Sequence, residues 1–453
     1  MPVAKSKALT RDERRQVGRA CRDKVRRVDQ ANWDSRGRKF APVDLLLKSQ
    51  HGRIASLLPL KWAKMATSPF VFFRGAAPLM AADLAPLPHT GLPAQLCGDA
   101  HVENMGAFEA PDGRLIFDIN DFDETIIGPW EWDVKRMSAS LVLAGREAGN
   151  PDRHCKLAIL EFVRSYRTAM KKFSQMALVD LGRYQVLRAV DPVRSVLRKA
   201  ERATPLHNLG QLTVLREGKH IFSQQAAAHY KMSRKEAAEA VASLVPYART
   251  LLPERTHFFS QYRVEDVTFR VVGTGSVGLR NYVVLLFGGA VYDPLFIQIK
   301  EEPGSAYAPY LPKSPVARHQ GQRVAEGGRA MQMQSDIFLG WTSIAGRDYV
   351  VRQLRDHKAS IEEDDLKGNG LLQYAEMCGE LLSKGHARSG DPCALYGYLG
   401  SSDRFDRAMA RFGIAYADQT HKDWQEFRRA IYSGTIPVAK LPPRATPKSK
   451  PRK

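Results

Sequence analysis

Cysteine is scarce in this chain: there are five in 453 residues, at positions 21, 97, 155, 378 and 393, and no two make a CxxC spacing. An odd, dispersed set argues against a disulfide frame or a zinc site, and for reduced thiols in a cytoplasmic protein. Long hydrophobic runs are missing as well. The longest uncharged apolar stretch, 282–292, falls far short of the ~20 residues that cross a bilayer, so no membrane span is expected. The basic residues near the start have no apolar segment behind them, which speaks against a secretory signal. No internal repeat is present.

Acid is sparse at the two ends. Residues 1–40 carry 13 Lys/Arg against five Asp/Glu, and residues 436–453 carry six Lys/Arg and no acid. Of the net charge of +20, only +6 is left for the 395 residues between. A mildly basic body with charged ends and no nucleic-acid-binding motif does not predict specific nucleic-acid recognition; the end charges read as solubilising. Five prolines among the bases of 436–453 predict a disordered tail.

What the chain does have is one stretch of concentrated oxygen chemistry, CGDAHVENMGAFEAPDGRLIFDINDFDE at 97–124, with five aspartates and two asparagines. Asp99 follows a short apolar run, where a strand would end. Pro111-Asp112-Gly113 reads as a tight turn, and the alternation at Leu115, Phe117 and Ile119 as a strand. The hairpin would return Asp118, Asn120, Asp121 and Asp123 beside Asp99 and Asn104. Any one of these acids could simply cap a turn. Together they repel one another unless a cation or proton intervenes, and an all-oxygen donor set suits Mg²⁺. Arg74-Gly75, upstream, is a candidate anion contact.

Helical spacing predominates over 133–255, with Asn150-Pro151 as one helix start and Ser233 to Glu236 as a capping box. The texture turns β-rich over 264–302. Within it lies Gly273-Thr274-Gly275-Ser276-Val277-Gly278, a GxGxxG whose following residues, LRNYVVLLF, are strand formers. A dinucleotide fold needs a helix there, so this motif reads instead as a glycine-rich loop between antiparallel strands, of the kind that covers nucleotide phosphates. The next strand ends in Ile297-Gln298-Ile299-Lys300. This lysine is a candidate phosphate ligand, and it needs a carboxylate: Glu326, on a helix predicted over 318–333, or failing that Glu301 or Glu302. Tyr349 to Leu354 reads as a strand, and Leu371 to His386 as a helix.

CGDAHVEN resembles the HGDxHxxN catalytic loop of the aminoglycoside phosphotransferase and choline kinase group, with Cys97 in place of the leading His. NDFDE resembles the IDFxD of the same group. The resemblance implies a catalytic loop bearing Asp99, His101 and Asn104, with Asp99 as base, and Mg²⁺ on Asn104 with Asp121 or Asp118. It also implies ATP on Gly273, Thr274, Gly275, Ser276, Gly278 and Lys300, with Glu326 as the lysine's partner. The catalytic loop precedes the glycine loop, so the implied fold is an α+β, two-lobed kinase-like fold in circularly permuted order.

The corresponding division is a basic extension (1–52), a catalytic lobe (53–260), a β-rich nucleotide lobe (261–358), a helical return (359–435) and a basic tail (436–453). Much of 53–400 also resembles the bacterial family called domain of unknown function 2252, on SPFVFFRG, CGDAHVEN, FDINDFDE, WDVKR, GTGSVGLRNY, QIKEE, VRQLRD and GHARSGD. The expected activity is ATP- and Mg²⁺-dependent transfer of phosphate to a hydroxyl. No protein-docking segment follows NDFDE, so a small-molecule acceptor is expected. Nucleotidyl transfer and a non-catalytic nucleotide-binding scaffold are the rival readings. A two-metal phosphoesterase is disfavoured, because its GNH motif is missing.

Overall fold

The computed structural model describes residues 9–186, 190–202, 204–223, 230–271, 273–290, 292–354 and 359–438. Val272, Arg355 and Asp356 of the sequence motifs, and the basic tail beyond 438, lie outside them. The chain is a mixed α+β protein, and no helix among the described residues is long and apolar enough to cross a membrane.

Strands β1 (Pro93–Leu96), β2 (Met105–Glu109), β3 (Leu115–Ile119) and β4 (Ile126–Pro129) carry the acidic stretch. β1 pairs antiparallel with β4, and β2 with β3 across the Pro111–Gly113 turn, where Gly113 takes a φ of 79°. The helix Glu131–Glu147 follows and is buried along almost its whole length. Its small and aliphatic residues, Ser138 to Gly145, let helices Asp152–Gln175, Asn369–Ser389 and Arg404–Tyr432 close around it into the largest hydrophobic core. A helix buried on every side must find partners for its own charges, and Asp133 and Arg136 find theirs in the candidate site.

A hairpin of β5 (Thr213–Arg216) and β6 (Lys219–Phe222) interrupts the region read as helical. Then β7 (Arg263–Phe269), β8 (Asn281–Phe287), β9 (Pro294–Glu301), β10 (Gly340–Ile344) and β11 (Arg347–Gln353) build one antiparallel sheet in the order β10-β11-β9-β8-β7. A short β12 (Ala359–Ser360) flanks β2. β8 packs Tyr282, Val284 and Leu286 into one core and Val283 and Leu285 into another. Burial on both faces is why it reads as an unbroken apolar run.

Two local expectations are adjusted. The helix after Asn150 begins at Asp152 with Pro151 as its N-cap. The Asn150 amide instead donates to the carbonyls of Gly145 (3.0 Å) and Leu366 (2.9 Å), knitting two loops together. Secondly, the helix that the sequence suggests over 11–28 ends at Lys24, and it packs on Pro392–Leu399. The Ser233–Glu236 capping box is present as read.

Arg38 links the early segment to the body. Its guanidinium donates to Asp83 (2.6 and 2.8 Å) and to Asp423 (2.7 and 2.8 Å), all three side chains being almost fully buried. Arg38→Ala would strand two carboxylates in the interior and is expected to lower stability by about 3–5 kcal/mol in urea unfolding. Arg36→Ala, which breaks only the exposed pair with Asp34, is expected to change nothing measurable.

Candidate active site

Asp133, in the first turn of Glu131–Glu147, anchors the loop that presents Asp99. Its carboxylate accepts the amides of Cys97 (2.8 Å) and Gly98 (3.0 Å). Gly98 has a φ of 84°, and a Cβ there would lie 2.2 Å from the Glu124 carbonyl, so only glycine fits this crossing. Behind Asp133 stands His386, 3.3 Å away through Nε2, with its Nδ1 2.8 Å from the Tyr166 hydroxyl. The three side chains are fully buried. A helix some 250 residues downstream thus fixes the orientation of the catalytic-loop candidate.

Arg136, one turn further along the same helix, places its Nε 2.5 Å from Asp99 Oδ1 and donates through Nη2 to the Phe73 carbonyl at 3.0 Å. Its guanidinium lies over the Phe73 ring, 4.1 Å from the centroid. The other Asp99 oxygen faces His101 Nε2 at 3.6 Å. Burial pushes the Asp99 carboxyl up to about 6; Arg136 opposes this, while Glu124 and Asp121 add to it. Burial, with Arg74 and Arg136 nearby, holds His101 well below its ordinary value. His101 is therefore neutral, and its Nδ1 has no hydrogen-bond partner among the described residues. Asn104 donates to the Asp99 carbonyl (2.6 Å), and its own carbonyl accepts the Asn120 amide (2.9 Å).

Asp99, His101, Asn104, Asp121 and Asp123 line one cavity of about 370 Å³, and Gly273, Thr274, Gly275 and Ser276 line it too. Asp123 joins the two sets. It accepts the Lys300 ammonium in a short ion pair, and the Ser276 hydroxyl lies 3.4 Å from the same oxygen. Burial alone would lower the Lys300 pKa, but Asp123 and Glu302 outweigh it, and the lysine stays charged. Burial and Asp121 push the Asp123 carboxyl up against the pull of Lys300. Glu302 is fully buried, with Oε1 3.8 Å from the Lys300 ammonium and neither oxygen in a hydrogen bond among the described residues. Burial and Asp123 push its carboxyl well above the ordinary carboxylate range, against the pull of Lys300 and Arg323.

The glycine loop is held from outside by cations. Arg53 Nη1 donates to the carbonyls of Gly275 (2.8 Å) and Val277 (2.7 Å), Lys64 to Gly273 (3.0 Å) and Lys61 to Gly275 (3.2 Å). With alternate carbonyls tied back, the amides of Gly275 and Ser276 donate to no acceptor among the described residues. Lys61 is fully buried, and burial together with Arg53 lowers its pKa well below the ordinary value. Arg74 lines the same cavity, paired with Glu103 at 2.7 Å.

Two assignments are corrected. Asp118 is not in the cavity: β3 points it into the core, where it pairs with buried Lys384 and takes the Ile119 amide at 2.9 Å. Its alternation with the apolar Phe117 and Ile119 could not reveal a buried lysine on another helix. Glu326 does not hold Lys300. The helix Gln320–Met331 turns Val324, Ala325, Gly327 and Gly328 inward, which leaves Glu326 exposed and bonded to Gln322 (2.7 Å) over a separate groove. The carboxylates at the lysine are those of Asp123 and Glu302, while Glu301 pairs with Arg280 and Arg347. That helix contributes Arg323 instead, donating to the carbonyls of Asp123 (2.9 Å) and Thr125 (2.6 Å).

Asp133, Arg136 and His386 were missed as site residues, although WDVKR and GHARSGD contain them; apolar residues at helical spacing around them masked their burial. As to metals, no group of three or more His, Cys, Asp or Glu side chains among the described residues could hold an ion. Asp121, Asp123 and Asn104 share the cavity and bring two carboxylates and one amide to it, all oxygen donors of the kind Mg²⁺ takes.

A family model described as an uncharacterized protein conserved in bacteria, DUF2252, matches residues 53–430. The chain belongs to this family. No curated protein and no solved structure matches it. The DUF2252 match spans every residue of the cavity described above except Leu45, Ser49, Gln50 and His51, and the Arg11–Lys24 helix precedes it.

The raised Asp99 pKa has a consequence for stability. The unfolded chain would titrate this carboxyl near ~4, so between pH ~4 and about 6 the folded state binds the extra proton, and stability falls as pH rises. Asp99→Asn removes this dependence. Urea unfolding at pH 4.5 and 7 is expected to show the variant gaining on wild type at the higher pH; a constant difference would contradict the buried, raised carboxyl.

Proposed function

We propose that this DUF2252 protein is a phosphotransferase that moves the terminal phosphate of ATP to a hydroxyl of a small-molecule acceptor, with Mg²⁺. The observation that carries this reading is the meeting at Asp123 of Ser276, from the glycine loop, and Lys300, from the strand two further on, 153 and 177 residues away in sequence. The element order also supports it: strand, glycine loop, strand, lysine-bearing strand, helix, then two strands, in one antiparallel sheet. A permuted kinase-like fold has that order, with the catalytic loop placed ahead of it.

Asp99, ionised above pH about 6, would accept the acceptor's hydroxyl proton as that oxygen bonds to the γ-phosphorus and the bond to the leaving diphosphate breaks. Arg136 orients Asp99 and keeps its charge tolerable in a buried setting. The amides of Gly275 and Ser276, aimed by Arg53 and Lys61, would donate to phosphate oxygens. Asp121 and Asp123, with Asn104, would hold the cation, which supplies neutralisation of the phosphate charge. Lys300 would exchange Asp123 for a phosphate oxygen, a change of partner with no loss of charge balance. Neutral His101 would line the acceptor side without adding a second base.

If Asp99 acts only on the acceptor, Asp99→Asn is expected to leave ATP affinity within a few-fold while turnover falls by ~10²–10⁴. Lys300→Ala is expected to weaken ATP itself. Phosphate transfer to a metabolite mixture, followed from γ-labelled ATP beside equilibrium binding, checks both. Turnover should rise with pH through a limb near 6, set by Asp99. Wild type that binds ATP and consumes none, with Asp99→Asn indistinguishable from it, would make the protein a nucleotide-binding scaffold. AMP transfer would make it a nucleotidyl transferase.

A further inference from the structure

The helix Arg11–Lys24, which precedes the family match, crosses Pro392–Leu399 at backbone contact. A Cβ on Gly18 would lie 1.8 Å from the Ala394 carbonyl, and one on Gly397 would lie 2.2 Å from the Arg15 carbonyl. Two glycines at one crossing let the helices touch, and the crossing sets the arginines of the first helix around the end of the second. Arg15, Arg19 and Arg22 from the helix and Arg27 from the next turn surround a recess of about 420 Å³, floored by Tyr396 and the Gly400–Ser402 turn. No aspartate or glutamate among the described residues lines it.

Two of these arginines have work within the fold. Arg22 donates to the carbonyls of Tyr398 (2.9 Å) and Gly397, and Arg27 to the carbonyl of Leu399 (2.8 Å) and the Ser402 hydroxyl (3.2 Å). They cap the last carbonyls of Pro392–Leu399 and screen its negative end. Arg15 and Arg19 are not explained this way. Arg15 lies over the Tyr396 ring, 5.1 Å from the centroid, and Arg19 meets no acceptor among the described residues. Arg404 adds a further positive charge nearby, whereas Arg167 is paired with Asp406 at 2.8 Å. Burial lowers the pKa of both Arg22 and Arg27; Arg27 and Arg19 add to this at Arg22, and Arg404 and Arg167 at Arg27, where Asp406 opposes it. Four guanidiniums in one recess with no acidic side chain lining it among the described residues cost energy that an anion would return.

We propose that this recess binds a compact anion carrying two or more phosphate groups, at a site separate from the catalytic cleft. A single carboxylate would leave most of the four charges unbalanced. A phosphate ester group carries roughly −1.5 to −2 near neutral pH, so two of them match the set. Planar guanidinium forks suit paired phosphate oxygens, and the Ser401 and Ser402 hydroxyls add neutral donors. The same chemistry is offered by a free diphosphate and by a bisphosphorylated lipid headgroup.

The test uses the full chain and calorimetric titration with pyrophosphate. Wild type, Arg15→Gln/Arg19→Gln and Lys300→Ala are compared; the first variant leaves the capping pair Arg22 and Arg27 in place, and unchanged melting without ligand verifies its fold. Saturable, salt-weakened binding that falls at least ~10-fold in the arginine double variant and survives Lys300→Ala is expected. Equal affinity in wild type and the arginine variant would overturn the proposal, as would binding lost only in Lys300→Ala, which places the ligand in the cleft. Co-sedimentation with phosphatidylcholine vesicles, plain or doped with phosphatidylinositol bisphosphate, separates the two sources. Capture by the doped vesicles that the arginine substitutions abolish identifies a headgroup site; no capture alongside pyrophosphate binding identifies a free ligand. Failure of either catalytic-residue test above leaves this outcome untouched, because neither Asp99 nor Lys300 touches the recess.

Discussion

Asp123 is the joint of the molecule. It sits on the acidic hairpin that leaves β3, yet its carboxylate is held by the ammonium of Lys300 from β9 and lies within reach of the Ser276 hydroxyl. A buried ion pair is not in itself a source of much stability, because each charge gives up its water. Its value is geometric: a carboxylate and an ammonium stranded without each other would be far worse, so the hairpin and the sheet must meet in one register. Arg323 reinforces that register by bonding the hairpin's backbone carbonyls. The cavity is the space this constraint leaves between Asp99 and the glycine loop.

Around this joint, buried charges are organised in pairs that each fix one element at or near the cavity. Asp133 with His386 fixes the turn before Asp99, and Arg136 fixes the Asp99 carboxylate. Lys384 with Asp118 pins β3 to the helix Asn369–Ser389. Asn369–Ser389 therefore carries two of the buried partners and braces the loop and the hairpin together. Glu302 is the exception. It has no hydrogen-bond partner among the described residues, and burial with Asp123 raises its carboxyl against the pull of Lys300 and Arg323.

Much of this was legible from residue patterns. The Pro111–Gly113 turn, the alternating β3, the glycine loop between β7 and β8, and Lys300 near the end of its strand are all local features, and each is where the sequence places it. Asp99 and Asn104 stand out in the acidic stretch by type and clustering, Asp121 by the resemblance of NDFDE to IDFxD, and the three share the cavity. The failures are failures of partnership. Asp118 and Asp121 are equivalent by composition, and only the position of Lys384, 266 residues on, separates them. Glu326 has the right spacing on the right helix but faces away, because Val324, Ala325, Gly327 and Gly328 claim the inner face. Arg11–Lys24 reads as a polar extension because its contact with the body is made by glycine backbone and not by an apolar stripe.

The central claim is that the space between the glycine loop and the acidic hairpin is a nucleotide-phosphate site. The most direct measurement is a crystal structure with Mg²⁺ and a non-hydrolysable ATP analogue. The account predicts phosphates against the amides of Gly275 and Ser276, Lys300 turned from Asp123 toward a phosphate oxygen, and the cation on Asp121 and Asp123 with Asn104. An analogue bound elsewhere, or phosphates remote from Gly273–Ser276 with the Lys300–Asp123 pair intact, would contradict it.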